Sequence, residues 1–268
     1  MSRIKNKFQD LRSRKEKALI AYVMAGFPSE KDTISAVRGL AKGGADIIEL
    51  GMPFSDPLAD GPVIQNAGFK ALQKGMNFEK FLSIVKKIRK EIDIPLVLMT
   101  YTNLLYRHGY EKFISIVKNA GIDGLILPDM SIDESGDFLK AARKYKMDTI
   151  FLISPNTSSK RIKKIAGSSS GFLYLVSVFG TTGGQQQFQN YTTHAIKNAR
   201  KTLAGKIPLG VGFGVSNPDQ ARLIIKSGAD AIIVGSAFLR LIENTAASKI
   251  EGKIESFTKT LKKATIAE

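Results

Sequence analysis

Gly44-Ala45-Asp46-Ile47-Ile48-Glu49-Leu50-Gly51 passes from a glycine into an apolar strand that carries one acid near its end. Its opening phrase recurs as Gly121-Ile122-Asp123 and Gly228-Ala229-Asp230, each time behind an amphipathic stretch and ahead of an apolar one. Glycine suits the left-handed residue that ends a helix, and the residues after it turn the chain into the next strand. A local solution used three times is what a repeated β/α unit asks for.

Outward from this stretch, short apolar segments alternate with helical patterns along the chain. Strands are predicted at Ala18–Val23, Asp46–Leu50, Pro95–Met99, Gly124–Leu127, Thr149–Ile153, Phe172–Ser177, Leu209–Gly212 and Ala231–Gly235. The amphipathic stretches between them are Lys31–Lys42, Phe78–Glu91, Tyr110–Asn119, Asp133–Lys144, Ser159–Ala166, Thr192–Leu203 and Asn217–Lys226. Strict β/α alternation over eight strands predicts an α/β fold of the (β/α)8 TIM-barrel type, with an open doubly wound sheet as the alternative. Either architecture places ligands at the carboxyl ends of the strands. Two additions to the repeat are predicted: a helix over Met1–Lys15, able to plug one end through Ile4, Phe8 and Leu11, and a short helix over Val63–Lys74. At 268 residues without an evident linker, residues 1–268 are expected to form a single barrel domain.

Composition narrows the chemistry. The chain has no Cys, which excludes disulfides, a thiolate nucleophile and Cys-ligated zinc. Its two His, His108 and His194, are far apart in sequence and lack metal-ligand spacing, so no metal is expected and acid/base work falls to carboxylates. The net charge of +16 is spread over the outer faces of helices such as Phe78–Lys90, with no basic tail or aromatic ribonucleoprotein motif, which argues against nucleic acid as the partner. No apolar run approaches the roughly 20 residues that span a bilayer. The basic start lacks an apolar signal core, so cytoplasmic residence is the expectation.

Within this frame Glu49 stands out. A carboxylate between Ile and Leu on a buried strand must be paired, hydrogen-bonded or facing a site, and burial raises its pKa toward the range of a general acid or base. A purely structural hydrogen bond or salt bridge remains the alternative. The strand runs into Met52-Pro53-Phe54-Ser55-Asp56-Pro57-Leu58-Ala59-Asp60-Gly61-Pro62, a loop stiffened by three prolines and holding two further acids. Two late turns, Gly210-Val211-Gly212-Phe213-Gly214-Val215-Ser216 and Val234-Gly235-Ser236-Ala237, follow the seventh and eighth strands, where barrel enzymes hold phosphate on backbone N–H groups and a helix N-terminus. Phe179–Phe188, glycine-rich and polar, has the composition of a lid. Tight turns and an ordinary surface loop are the plainer accounts of these segments.

The run Glu49–Gln65, with most of the chain around it, resembles the tryptophan synthase alpha subunit family. The resemblance implies a TIM barrel that cleaves indole-3-glycerol phosphate by a retro-aldol step into indole and glyceraldehyde 3-phosphate. It implies Glu49 as the acid/base catalyst and Asp60 as the carboxylate that hydrogen-bonds the indole N–H. Phosphate contacts are implied for Gly183, Gly212, Phe213, Gly214, Gly235 and Ser236. Tyr22, Ile64, Met99, Tyr101 and Ile126 fall at indole-pocket positions, Tyr174 lies near the substrate, and Thr182 matches a lid threonine that bonds the catalytic aspartate. No cofactor is implied in this chain.

The resemblance also implies a beta subunit that carries pyridoxal phosphate and takes up indole through a tunnel, in an alpha-beta-beta-alpha tetramer. Pro53, Asp56 and Pro57 match positions at that interface. The chain departs from the family in two places. Ser177-Val178-Phe179-Gly180-Thr181-Thr182-Gly183 has Val178 where many members carry a lid arginine, and Tyr22 stands where they have Phe. Two other functions stay open on sequence grounds: a chain acting chiefly as an allosteric subunit of its partner, and a different phosphate-binding barrel such as a sugar-phosphate epimerase.

Overall fold

The computed structural model describes residues 2–176, 185–212 and 214–266, with only the backbone of 185–190. Its strands are β1 (Ala18–Met24), β2 (Ile47–Gly51), β3 (Leu96–Met99), β4 (Gly124–Ile126), β5 (Asp148–Ile150), β6 (Leu152–Ile153), β7 (Leu173–Val176), β8 (Leu209–Gly212) and β9 (Ala231–Val234). The helices are α1 (Arg3–Ser13), α2 (Glu30–Lys42), α3 (Pro62–Gln73), α4 (Phe78–Arg89), α5 (Thr102–His108), α6 (Tyr110–Ala120), α7 (Gly136–Lys144), α8 (Ser159–Ala166), α9 (Gln185–Leu203), α10 (Pro218–Lys226), α11 (Ser236–Glu243) and α12 (Ile250–Lys263).

Every strand pairing is parallel, in the order β5-β4-β3-β2-β1-β9-β8-β7-β6. The two ends of this row are consecutive pieces of chain separated only by Phe151. The segment pairs with β4 up to Ile150 and with β7 from Leu152, and the Phe151 carbonyl accepts the Tyr174 N–H at 3.0 Å. The predicted fifth strand is therefore split where its pairing passes from one neighbour to the other, and the sheet closes as the expected eight-stranded TIM barrel.

Alternation along the strands separates two cores. Ala18, Ile20, Ile47, Val97, Ile126, Ile150, Phe172, Ala231 and Ile233 point into the barrel, and Ile4, Phe8 and Leu11 of α1 close its lower end against them. The Phe8 and Phe172 rings lie 6.1 Å apart. The opposite strand faces pack against the helical ring, whose centre includes Phe81, Phe113 and Phe238.

The three repeated Gly-x-Asp phrases behave alike. Gly44, Gly121 and Gly228 have φ of +91°, +116° and +110°, the left-handed conformation expected after each helix. Each following aspartate then accepts the backbone N–H of a neighbouring strand: Asp46 from Leu19, Asp123 from Leu96 and Asp230 from Leu209. Cations cover them from outside, Lys262 on Asp46, Arg89 and Arg3 on Asp123, and Lys17 and Arg200 on Asp230. These aspartates sit at the strands' amino ends, opposite the end where ligands bind.

Candidate active site

Ile47, Glu49 and Gly51 alternate inward along β2, so Glu49 is the next side chain above the Ile47 layer toward the carboxyl end. It lies level with Tyr22 on β1 and Val97 on β3. Glu49 is 1% exposed, and its Oε2 has no hydrogen-bond partner among the described residues. Burial, and secondarily the Asp60 charge, push its carboxyl up to about 8. The structural alternative named above needs a fixed partner for this carboxyl, and one of its two oxygens has none.

The loop after β2 is folded back over this position. Met52 N–H donates to Met99 O at 2.9 Å, and Asp60 N–H donates to Pro57 O at 3.0 Å. Gln65 at the start of α3 donates through Nε2 to Asp60 O at 2.8 Å. The buried Tyr101 closes the other side. Its hydroxyl accepts the Ala59 N–H at 3.1 Å, and its ring stacks on Phe54 with centroids 4.9 Å apart. Asp60 is half-buried there, raised by burial to about 6, with the Tyr101 hydroxyl pulling it back down.

Tyr22 and Tyr174 complete the inner wall. Both hydroxyls are held well above their ordinary pKa by burial and then by the charges of Asp60 and Glu49. The extra hydroxyl of Tyr22 finds a weak acceptor in Met24 Sδ at 3.8 Å. Space for the two rings comes from glycines on adjoining strands. A Cβ on Gly212 would stand 2.7 Å from Tyr174 Oη, and one on Gly51 would stand 2.6 Å from Tyr22 Cζ.

The remaining candidates distribute as follows. Met99 and Ile126 are level on β3 and β4 and face the barrel interior. Ile64 is half-buried on α3 and packs against the outer core. Gly212 ends β8 and Gly214 has φ +62°. Gly235 caps α11, whose first residue is Ser236, and among the described residues no side chain caps that helix. Its first N–H groups are thereby left for an anion. Pro53 is buried, Pro57 half-buried and Asp56 exposed. Phe213, Thr182 and Gly183, with Val178 and the rest of the lid from 177 to 184, lie outside the described residues.

Two contributors escape a sequence reading. Leu58, 94% exposed, is an apolar side chain at the loop tip beside Pro57. The Ala59 N–H ties the loop to Tyr101, and an alanine carries no sequence signal for that bond.

The family model described as tryptophan synthase alpha chain matches residues 8–266. The chain belongs to the tryptophan synthase alpha chain family. The tryptophan synthase alpha chain of Methanosarcina acetivorans is 45% identical over 260 residues, covering 97% of this chain and 93% of that one. That of Trichormus variabilis is 44% identical over 265 residues, with 98% of each covered. Among solved structures, tryptophan synthase from M. tuberculosis superposes with a TM-score of 0.89 at 32% identity, over 100% of this chain and 99% of that chain. The tryptophan synthase complex from Pyrococcus furiosus does so with 0.83 at 32% identity, over 92% and 98%. The chain is thus an enzyme subunit of tryptophan biosynthesis, and the role of its family is cleavage of indole-3-glycerol phosphate.

Proposed function

We propose that Glu49 and Asp60 carry this reaction as general acid/base and as electrostatic partner of the indole nitrogen. The observation behind the assignment is the pair itself: two carboxyls on one wall, raised to about 8 and about 6 by different degrees of burial. Near pH 7 the first is mostly protonated and the second mostly ionised. Two carboxyls in unlike environments can divide acid and anion roles in this way.

Indole leaves poorly as a carbanion. Protonation of indole C3 by the Glu49 carboxylic acid turns the ring into an electron sink, and positive charge develops toward the ring nitrogen. The Asp60 carboxylate accepts the N–H there and stabilises that charge. The Glu49 carboxylate just formed takes the proton of the glycerol hydroxyl. The carbon–carbon bond then breaks, its electron pair restores the aromatic indole, the alkoxide carbon becomes the aldehyde of glyceraldehyde 3-phosphate, and Glu49 is again protonated. Gly212, Gly214, Gly235 and Ser236 are assigned to the phosphate, with the N-terminus of α11 as the anion-binding element. Tyr22, Met99, Tyr101, Ile126 and Tyr174 are assigned to the indole side.

The partner in this proposal is a pyridoxal-phosphate-containing beta subunit in a cytoplasmic alpha-beta-beta-alpha assembly, met through Asp56 and Pro57, with the buried Pro53 acting behind them by stiffening the loop rather than by direct contact. Exposure of Leu58 and Asp56 on the loop that holds Asp60 supports contact there. The deciding experiment is indole release by purified Glu49→Gln. General acid/base catalysis contributes roughly 10²- to 10⁴-fold, so kcat should fall by at least that much while substrate still binds. Near-normal turnover would remove Glu49 from the mechanism.

A further inference from the structure

A groove of about 940 Å³ opens at the amino-terminal end of the barrel, remote from Glu49, between α1, α8 and the end of α9. Lys5, Arg12, Lys163, Lys201 and Lys206 line it, and no Asp or Glu does. All five are exposed. Of the cations close by, Arg161 and Lys164 are paired with Asp133 and Arg200 with Asp230, while Lys160 and Lys197 on the same helices form no ion pair among the described residues and lie outside the concavity. The five in the groove form no ion pair among the described residues.

Helix dipoles account for part of this cluster. Arg12, Lys163 and Lys201 stand in the last turns of α1, α8 and α9, where a cation is favoured. Lys5 is in the first turn of α1, where the dipole opposes it, and Lys206 lies beyond α9 in the approach to β8. Convergence of five positive charges on one concavity raises its potential well above that of a flat basic surface. Phe8, Leu203 and Ile207 contribute a buried apolar floor. Thr202 Oγ1 and Ser159 Oγ meet across the groove at 3.3 Å and add hydroxyls.

We propose that this groove binds an organic polyphosphate: a small anion with several phosphate charges for the lysines and arginine, attached to a flat apolar body for the floor. A nucleoside triphosphate has this chemistry, and inorganic tripolyphosphate supplies its charged half alone. The site is separate from the catalytic phosphate position, which lies at the other end of the strands.

Titration calorimetry on the full chain with ATP and with tripolyphosphate tests the assignment, in 0.15 M salt with glycerol 3-phosphate saturating the catalytic end. One ATP is expected to bind, at least threefold tighter than tripolyphosphate. Lys163→Glu/Lys201→Glu should weaken both probes at least tenfold and leave kcat/KM for indole release unchanged. Lys160→Glu/Lys197→Glu reverses two exposed lysines outside the groove on the same helices and changes net charge equally, so it should alter affinity less than threefold. Absence of ATP binding at millimolar concentration would overturn the proposal, and so would equal weakening by the two double variants. Equal affinity for ATP and tripolyphosphate would overturn the organic part of the assignment.

Discussion

The Tyr101 hydroxyl accepts the Ala59 N–H at 3.1 Å, which fastens the loop bearing Asp60 to the N-cap residue of α5, just beyond the end of β3. The same hydroxyl lowers the Asp60 pKa against the upward pull of burial. Tyr101→Phe keeps the stack on Phe54 but removes both effects. We expect kcat/KM for indole release to fall roughly tenfold, the scale of one hydrogen bond of about 1 to 1.5 kcal/mol. The acid limb of the pH profile should move to higher pH in the variant. A lowered rate with an unmoved limb would mean that Tyr101 only shapes the pocket.

The pH dependence of cleavage follows from the carboxyl pair. The proposed roles require Asp60 ionised and Glu49 protonated, so kcat/KM should describe a bell with limbs near pH 6 and pH 8. The two groups interact, and the limbs belong to the pair as a whole. Asp60→Asn should remove the acid limb and, by taking away a neighbouring negative charge, shift the basic limb downward. Persistence of the acid limb in that variant would assign it to another group.

Glu49 also bears on stability. Its folded pKa, about 8, exceeds the ordinary 4.5, so between these values the folded state holds a proton that the unfolded state has released. Stability contributed by this site is therefore greatest below about pH 4.5, declines as pH rises and levels off above about pH 8. Glu49→Gln removes the titration. Its Tm should exceed that of the parent chain at pH 8.5 by about 2–6 °C and differ little at pH 5. A buried carboxyl whose loss raises stability at alkaline pH is one held at a cost in free energy, as the role proposed for Glu49 entails.

Gly212 tests how the wall is packed. A methyl group there would lie 2.7 Å from Tyr174 Oη and 2.8 Å from its Cε2, inside contact distance, so the ring must move. Overpacking of this kind costs about 1–3 kcal/mol. Gly212→Ala should raise KM for indole-3-glycerol phosphate severalfold and lower Tm, and Gly212→Ala with Tyr174→Leu should recover most of the Tm.

The strands were legible because burial on both faces leaves continuous apolar runs, and their order followed from the β/α alternation. Glu49 was legible because an acid is foreign to such a run. The split at Phe151 was not, since it reflects which neighbour each half of the strand bonds, and pairing is a tertiary property. Helix α12 falls after the last β/α unit, where a repeat offers no place for it, although Ile250, Ile254 and Leu261 mark its buried face. Gly44, Gly121 and Gly228 announced helix ends through their local conformation. The aspartates behind them serve strands 21 to 27 residues distant, and only the barrel register reveals that service. In the site, Asp60 lay in the proline-rich loop after the second strand, but the bond from Ala59 to Tyr101 and the seating of Tyr22 and Tyr174 over glycines require the folded chain.

Asp123 measures what the amino-terminal ends of the strands contribute. It is 4% exposed and accepts from Leu96 N at 3.0 Å, Arg89 Nη2 at 2.8 Å and Arg3 Nη1 at 3.3 Å. Arg89 is itself mostly buried and also donates to the carbonyls of Gly121, Ile92 and Ile94. Asp123→Asn leaves an amide that can still accept from Leu96 but no longer balances the guanidinium. Breaking a buried pair costs about 3–5 kcal/mol, and partial exposure of Arg3 places this case toward the lower end. For a chain of this size the expected fall in Tm is about 6–10 °C. Asp133 supplies the contrast: it holds Arg161 and Lys164 and is lowered to about 2, yet it is exposed, and Asp133→Asn should leave Tm nearly unchanged. Indole release per folded molecule should be the same in both variants, because neither aspartate lies at the carboxyl end of the strands. A fall in kcat for Asp123→Asn at temperatures well below its Tm would show instead that the base of the barrel is coupled to the site that holds Glu49.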